Sequence, residues 1–172
     1  LASGQCREMI VVMNCGYAFF PDGSGHHSRG QIGDVLVKDC IPFIDKKYRT
    51  ITDRRARAMS GLSMGGFQSQ STVFQYPEFF ASVGLFSSNF IVKNYEDDYT
   101  ELLSDPKAFN ELFDVCFVSW GDQEDMKASN GPLLTKLRNE GFHITSYVTP
   151  GYHEWAVWRY SAREFAKMLF RK

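Results

Sequence analysis

The stretch Ala58–Ser69, AMSGLSMGGFQS, decides how this chain is read. Its first half is a short apolar run ending in glycine. Its second half opens a helix-like pattern that stops at Pro77. Between the two, Ser63 sits inside G-x-S-x-G, formed by Gly61, Leu62, Ser63, Met64 and Gly65. A serine on a sharp strand-to-helix turn needs small residues two positions to either side, because side chains there would collide. Its hydroxyl then stands exposed above the carboxyl end of a sheet. A phosphate-binding loop would need G-x-x-x-x-G-K-[ST], and a dinucleotide site G-x-G-x-x-G; both are absent. Ser63 is therefore a candidate nucleophile, and Met64, whose amide opens the helix, a candidate donor to an oxyanion.

Outward from this turn, apolar runs and helical patterns alternate. MIVVM (9–13), ARAMSG (56–61), FFASVGLFS (79–87), DVCFVSWG (114–121) and FHITSYVT (142–149) read as strands, the first as a buried parallel one. Between the first two lies a long Gly/Asn/Asp/His loop, then a helical pattern from Asp34 to about Tyr48 that Pro42 should kink or divide. A helix with Pro132 just inside its start, capped by Asn130 and closed by Gly141, follows the fourth strand. A last helix carries Trp155, Trp158, Ala162, Phe165 and Leu169 on one face, where Trp158 reads as packing. This alternation predicts an α/β fold, a mostly parallel sheet with helices on both faces. The acidic excursion at 89–113 leaves the carboxyl end of a strand and is a candidate lid or substrate wall.

Composition narrows the function. The 172 residues read as one domain, and 44% hydrophobic and 15% aromatic residues are enough for a packed core. A net charge of −1 offers no basic field for nucleic acid, and DRRARA (53–58) reads as solvated surface. The four cysteines have no metal-finger spacing; Cys40 and Cys116 lie in apolar segments and read as buried thiols. No apolar run is long enough to cross a membrane. No secretory leader is legible in the opening LASGQCRE, which reads as a partial or processed product.

A serine at its ordinary pKa needs a base, and the base a carboxylate, in chain order serine, acid, histidine on this kind of fold. Of the histidines, His26 and His27 precede the serine, and His143 starts a strand. His153, in TPGYHEWAVW after the last strand, is the candidate base. The acid belongs to the loop FVSWGDQEDMKAS, which offers Asp122, Glu124 and Asp125, and spacing alone does not choose among them. Tyr17, Phe19, Phe20, Trp155 and Trp158 are aromatic candidates for a substrate wall, with Tyr17 and Trp155 the ones carried forward.

At these residues the chain resembles the esterase D/feruloyl esterase family of α/β hydrolases. The resemblance runs through MIVVMNCGYAF, through IPFIDKKYRTITDRRARAMSGLSMGGFQS and through GYHEWAVWRYSAREFAKMLF. It implies a serine ester hydrolase working through an acyl-enzyme, feruloyl- or acetyl-esterase-like on plant cell-wall esters, with no cofactor or metal, located outside the cytoplasm. Acyl transfer to a sugar is an alternative within the family, and a non-catalytic scaffold on the same fold is an alternative outside it. Members commonly carry G-x-E-D at the acid loop; sliding that pattern onto GDQEDM makes Asp125 the acid, with Asp122 second. The family also has an earlier strand, ending in an HG-type turn, that lies between the equivalents of MIVVM and ARAMSG and supplies the second oxyanion amide. No such segment is legible here, so residues 1–172 read as a partial catalytic domain, lacking N-terminal strands, with Gly16 and Tyr17 as substitute amides and further modules as its possible partners.

Overall fold

The computed structural model describes residues 4–19, 29–95 and 97–171. His26, His27, Phe20 and Glu96 fall outside them. Four strands, β1 (Ala58–Leu62), β2 (Ser82–Phe86), β3 (Val115–Gly121) and β4 (Ile144–Thr149), form one fully parallel sheet in the order β1-β2-β3-β4. Each is followed or preceded by a helix: α1 (Arg29–Val35), α2 (Ile41–Lys47), α3 (Met64–Gln75), α4 (Pro106–Leu112), α5 (Met126–Asn139) and α6 (Trp155–Met168). The α/β class and the two-sided burial read from the sequence are both present.

The period-two alternation of the strands sorts their side chains between two cores. Met59, Val83, Leu85, Cys116, Val118, Trp120 and Ile144 face one side, where Val73 and Phe74 of α3 and Leu134 and Leu137 of α5 cover them. Leu62, Phe86, Val115, Phe117 and Tyr147 face the other, against Phe165 of α6 and the following Leu169. Gly84 lies under Phe165: a Cβ there would stand 3.1 Å from the ring, so the glycine sets how closely α6 approaches. Burial of β2 and β3 on both faces explains their continuous apolar runs.

Segment 89–113 belongs to the first core. Phe90, Phe109 and Phe113 are buried, and Phe74 meets Phe90, Tyr99 and Phe109 edge-to-face. Gln70 of α3 pins Ile91 from both sides, its amide donating to the carbonyl at 2.6 Å and its oxygen accepting from the N–H at 2.9 Å.

Four sequence expectations are corrected. Residues 9–13 form no strand: Ile10 through Met13 are exposed, Met13 by 90%, and only Met9 joins the second core. β1 is an edge of the sheet, and among the described residues no strand pairs with its outer side. An apolar run with no ladder to join cannot become a strand. The expectation that Pro42 kinks or divides its helix is met: the division runs through a π-helical turn, Leu36–Cys40, in which the Ile41 N–H reaches back to Leu36. Proline lacks an N–H for the carbonyl four residues back and its ring crowds that carbonyl, which the wider turn relieves. α5 starts at Met126, so Asn130 is not a cap. Its buried amide instead donates to Ser88 O at 3.0 Å and accepts from Phe90 N–H at 2.9 Å. DRRARA is solvated surface only in part: Asp53 and Arg55 are exposed, but Arg54 binds the carbonyls of Pro77, Phe80 and Leu112, Arg55 pairs with Asp114, and Arg57 with Asp45. Of the two cysteines read as buried, Cys116 is and Cys40 is half-buried; burial pushes the Cys116 thiol up to about 12.

Candidate active site

Because all four strands are parallel, their carboxyl ends lie at one edge of the sheet, and the candidate residues cluster there. Ser63 occupies the turn between β1 and α3 at φ 52°, ψ −119°, a conformation that L-residues adopt only when their surroundings enforce it. Here its N–H donates to Phe86 O at 2.8 Å, and its carbonyl accepts from Gly66 N–H at 2.9 Å. The turn is closed at Gly61, where a Cβ would come within 2.3 Å of the Gly65 backbone. Gly65 itself is roomy: a Cβ at that position would meet nothing within 4 Å, so its own side chain is not what the turn excludes. The second demand comes from Gly66, whose Cβ would lie 2.4 Å from that of Ser88. Met64 is the first residue of α3, and its amide is one of the first-turn donors that a helix cannot satisfy internally.

The loops after β3 and β4 are fastened to each other. Asp122 N–H donates to Thr149 O at 2.9 Å, Gln123 N–H to Gly151 O at 3.1 Å, and Gly151 N–H to the Asp122 carboxylate at 3.0 Å. Gly121 and Gly151 approach so closely that a Cβ on Gly121 would stand 2.2 Å from Gly151 O. This contact brings His153 over the acid loop.

The carboxylate that meets His153 is Glu124, not Asp125. Nδ1 of His153 lies 2.6 Å from Glu124 Oε1, while Glu124 Oε2 accepts from Gly121 N–H at 2.5 Å and from Ser87 Oγ at 2.7 Å. Asp125 is exposed at the start of α5, and Asp122 is committed to the Gly151 amide. The reason is the tight turn after Gly121: Glu124 N–H bonds back to Gly121 O at 3.1 Å, which folds residue 124 inward and turns residue 125 outward. A carboxylate acceptor on Nδ1 calls for a proton there, which leaves Nε2 as the basic nitrogen.

Two residues complete the arrangement. Ser87, fully buried at the end of β2, accepts from Trp158 Nε1–H at 2.9 Å. The Trp158 ring stands edge-to-face on His153, with centroids 5.0 Å apart. Trp158 thus packs, as its helical spacing predicts, and supports the site as well. Nothing in the sequence marks Ser87: it is one serine after an apolar strand, and its partners are 37 and 71 residues away. Glu124 was visible as one of three carboxylates, but its burial depends on the turn. Of the aromatic candidates, Trp155 is exposed and stands against Trp158, and Tyr17 and Phe19 are also exposed. Gly16 is not a spare amide: its N–H is taken by Asn14 Oδ1 at 2.9 Å and its carbonyl by Gln68 of α3 at 2.8 Å. An open pocket beside the imidazole is lined by Gln123, Glu124, Asp125, Met126, Tyr152 and His153. Among the described residues no cluster of His, Cys, Asp and Glu could hold a metal, and no helix is long and apolar enough to cross a membrane.

A parallel sheet with helices on both faces and a strained serine between strand and helix defines the α/β-hydrolase class. Within it, the family model described as "Putative esterase" matches residues 18–168, and the chain belongs to that family. It is 33% identical over 174 residues to an endo-1,4-beta-xylanase/feruloyl esterase of Xylanibacter ruminicola, an alignment covering 99% of this chain and 22% of that protein. It is 22% identical to an acetyl esterase of Caldicellulosiruptor saccharolyticus, over 95% of this chain and 76% of that one. A solved ferulic acid esterase superposes with a TM-score of 0.73 at 22% identity, covering 99% of this chain and 73% of that chain, a likeness of fold. The chain therefore spans about a fifth of the bifunctional relative's length and about three quarters of the other two.

Proposed function

We propose that this chain hydrolyses carboxylic esters through an acyl-enzyme. The observation that carries this reading is the His153–Glu124 pair at 2.6 Å, on the sheet edge where Ser63 is held in its strained turn. Ser63 Oγ attacks the ester carbonyl as its proton passes to His153 Nε2. Glu124 keeps Nδ1 protonated and stabilises the imidazolium. The Met64 N–H binds the oxyanion. The imidazolium then returns its proton to the departing alcohol, and a water, activated by the same nitrogen, attacks the acyl-enzyme and releases the acid. These steps need no metal or organic cofactor.

For the substrate we favour feruloyl or acetyl esters on plant cell-wall polysaccharide, a reading supported by the names of the two sequence relatives and by exposed Tyr152 and Trp155 flanking His153. Such a polymer would be met outside the cytoplasm. The burial of Phe90, Phe109 and Phe113 favours a fixed wall over a hinged lid for segment 89–113.

The test is hydrolysis of 4-nitrophenyl acetate together with labelling by an alkyl fluorophosphonate. The expected result is turnover and a single adduct on Ser63, both lost in Ser63→Ala. Full activity in Ser63→Ala, or no adduct on the folded wild type, overturns the proposal. Comparing methyl ferulate with acetylated xylan then sorts the acyl group.

A further inference from the structure

We propose that Ser87 is a positioning residue that holds Glu124, and through it His153, in the orientation that proton transfer requires. The inference rests on the reading of Ser63, Glu124 and His153 as the catalytic set, and it assigns a role to a residue outside that set.

Indole Nε1–H can only donate, and it donates to Ser87 Oγ at 2.9 Å. A serine hydroxyl has one hydrogen. With its oxygen accepting from Trp158, that hydrogen goes to Glu124 Oε2 at 2.7 Å. The direction of the whole chain is then fixed, from Trp158 to Ser87 to Glu124, and from His153 Nδ1 to the other carboxylate oxygen. Aligned donors of this kind polarise one another, and the carboxylate is held at both oxygens.

The backbone points the same way. Ser87 sits at φ 48°, in the left-handed region that favours glycine and that costs a serine strain. Glycine would relieve that strain, yet a hydroxyl is there, fully buried, with its N–H fixed to Ser119 O at 2.7 Å. Ser63 N–H bonds to the carbonyl of the preceding residue, Phe86, so the same strand end anchors the nucleophile turn and the acid's support. The other carboxylates of the neighbourhood are engaged or turned away: Asp122 holds Gly151 N–H, Glu154 holds Tyr152 N–H, and Asp125 is exposed. Trp158, the side chain of α6 that faces the imidazole, carries no charge.

Removing the hydroxyl removes a donor from the carboxylate, whose charge is then less dispersed and binds the imidazolium more strongly. The acid limb of kcat/KM should therefore move to higher pH.

The test uses Ser87→Gly, which deletes the hydroxyl while relieving the backbone, Ser87→Ala, and Trp158→Phe, which removes the upstream N–H and keeps a ring. Melting temperature and the pH profile with 4-nitrophenyl acetate are measured on each. We expect Ser87→Gly to melt close to wild type, with kcat down about tenfold, the worth of one hydrogen bond to a charged group. KM should be unchanged and the acid limb of the kcat/KM profile displaced to higher pH. Trp158→Phe should shift the acid limb the same way by less. A folded Ser87→Gly with wild-type kcat and pH profile overturns the assignment. If both Ser87 variants fail to fold, an unmoved acid limb in Trp158→Phe overturns it. A wild type that neither turns over the ester nor takes the fluorophosphonate refutes the catalytic reading instead, which is a different outcome from an active wild type with an indifferent Ser87→Gly.

Discussion

Glu124 and His153 meet at 2.6 Å, and they meet unequally: the carboxylate is 3% exposed and the imidazole 43%. The buried partner is fixed by a backbone amide and a serine, so it acts as the rigid end of the pair, while the exposed ring keeps Nε2 open to a substrate. Glu124→Gln keeps the shape and removes the charge, and its amide can present an N–H where Nδ1–H needs an acceptor. We expect kcat to fall by about two to four orders of magnitude, as when the carboxylate of a Ser-His-acid set loses its charge. Asp125→Asn should leave kcat near wild type. Initial rates on 4-nitrophenyl acetate separate the two, and the reverse ranking would restore Asp125 as the orienting acid.

How much of this was legible in the sequence follows from which signals are local. The strand, serine and helix around Ser63 are fixed within about a dozen residues, so G-x-S-x-G in its context located them, and four of the five expected strands are present. His153 is legible because it follows the last strand. Choosing Glu124 over Asp125 depends on one turn bond, from Glu124 N–H to Gly121 O, that decides which of two adjacent carboxylates faces inward. Ser87 and Trp158 meet across 71 residues, and no periodicity encodes that. Residues 9–13 show the opposite limit. Their composition is that of a strand, but a strand is a property of a pair, and the outer side of β1 has no strand on it among the described residues.

The glycines of the Ser63 turn are not equivalent. Gly66→Ala would set a Cβ 2.4 Å from that of Ser88, and Gly61→Ala one 2.3 Å from the Gly65 backbone. Each should destabilise by about 1–3 kcal/mol, the range for overpacking a close contact. Gly65→Ala meets nothing within 4 Å in the first turn of α3, and should be neutral or stabilising by up to about 1 kcal/mol through helix propensity. Urea unfolding midpoints would show the contrast; equal losses at Gly65 and Gly66 would contradict it.

The contact between α1 and α3 should make stability depend on pH at both ends. Tyr76 OH donates to Asp34 at 2.5 Å. This bond, with burial, pushes the phenol up from 10.0 to about 12, and the same bond with Lys38 holds the Asp34 carboxyl below its ordinary range. A raised phenol contributes stability that is complete below pH 10 and lost as pH climbs toward about 12. A depressed carboxyl contributes stability that is present above its unfolded value and lost as pH falls through the folded one. Tyr76→Phe should therefore lower the urea midpoint at neutral pH and flatten its decline in the alkaline range. A parallel decline in both proteins would mean that the phenol is not the group responsible.

Arg54 fastens three separate chain segments, and lysine cannot replace it. Its Nε donates to Pro77 O at 2.6 Å, and Nη2 to Phe80 O at 2.9 Å and Leu112 O at 2.5 Å. These carbonyls end α3, lead into β2 and close α4, so one planar cation ties the helix after Ser63 to the far end of segment 89–113. Desolvation lowers the guanidinium's pKa, but it remains charged at neutral pH, as arginine does in proteins. Arg54→Lys keeps the charge and loses the fork; an ammonium on a flexible stem cannot meet three acceptors in the plane that the guanidinium spans. We expect it to cost about 2–4 kcal/mol, more than one bond to a charged donor and less than three, since the lysine ammonium can still meet one of the carbonyls. Arg55→Lys, at the more exposed pair with Asp114, should cost less than about 1 kcal/mol. Thermal or urea unfolding of the two variants decides it: a loss at Arg54→Lys no larger than that at Arg55→Lys would reduce the three-carbonyl clasp to ordinary surface charge.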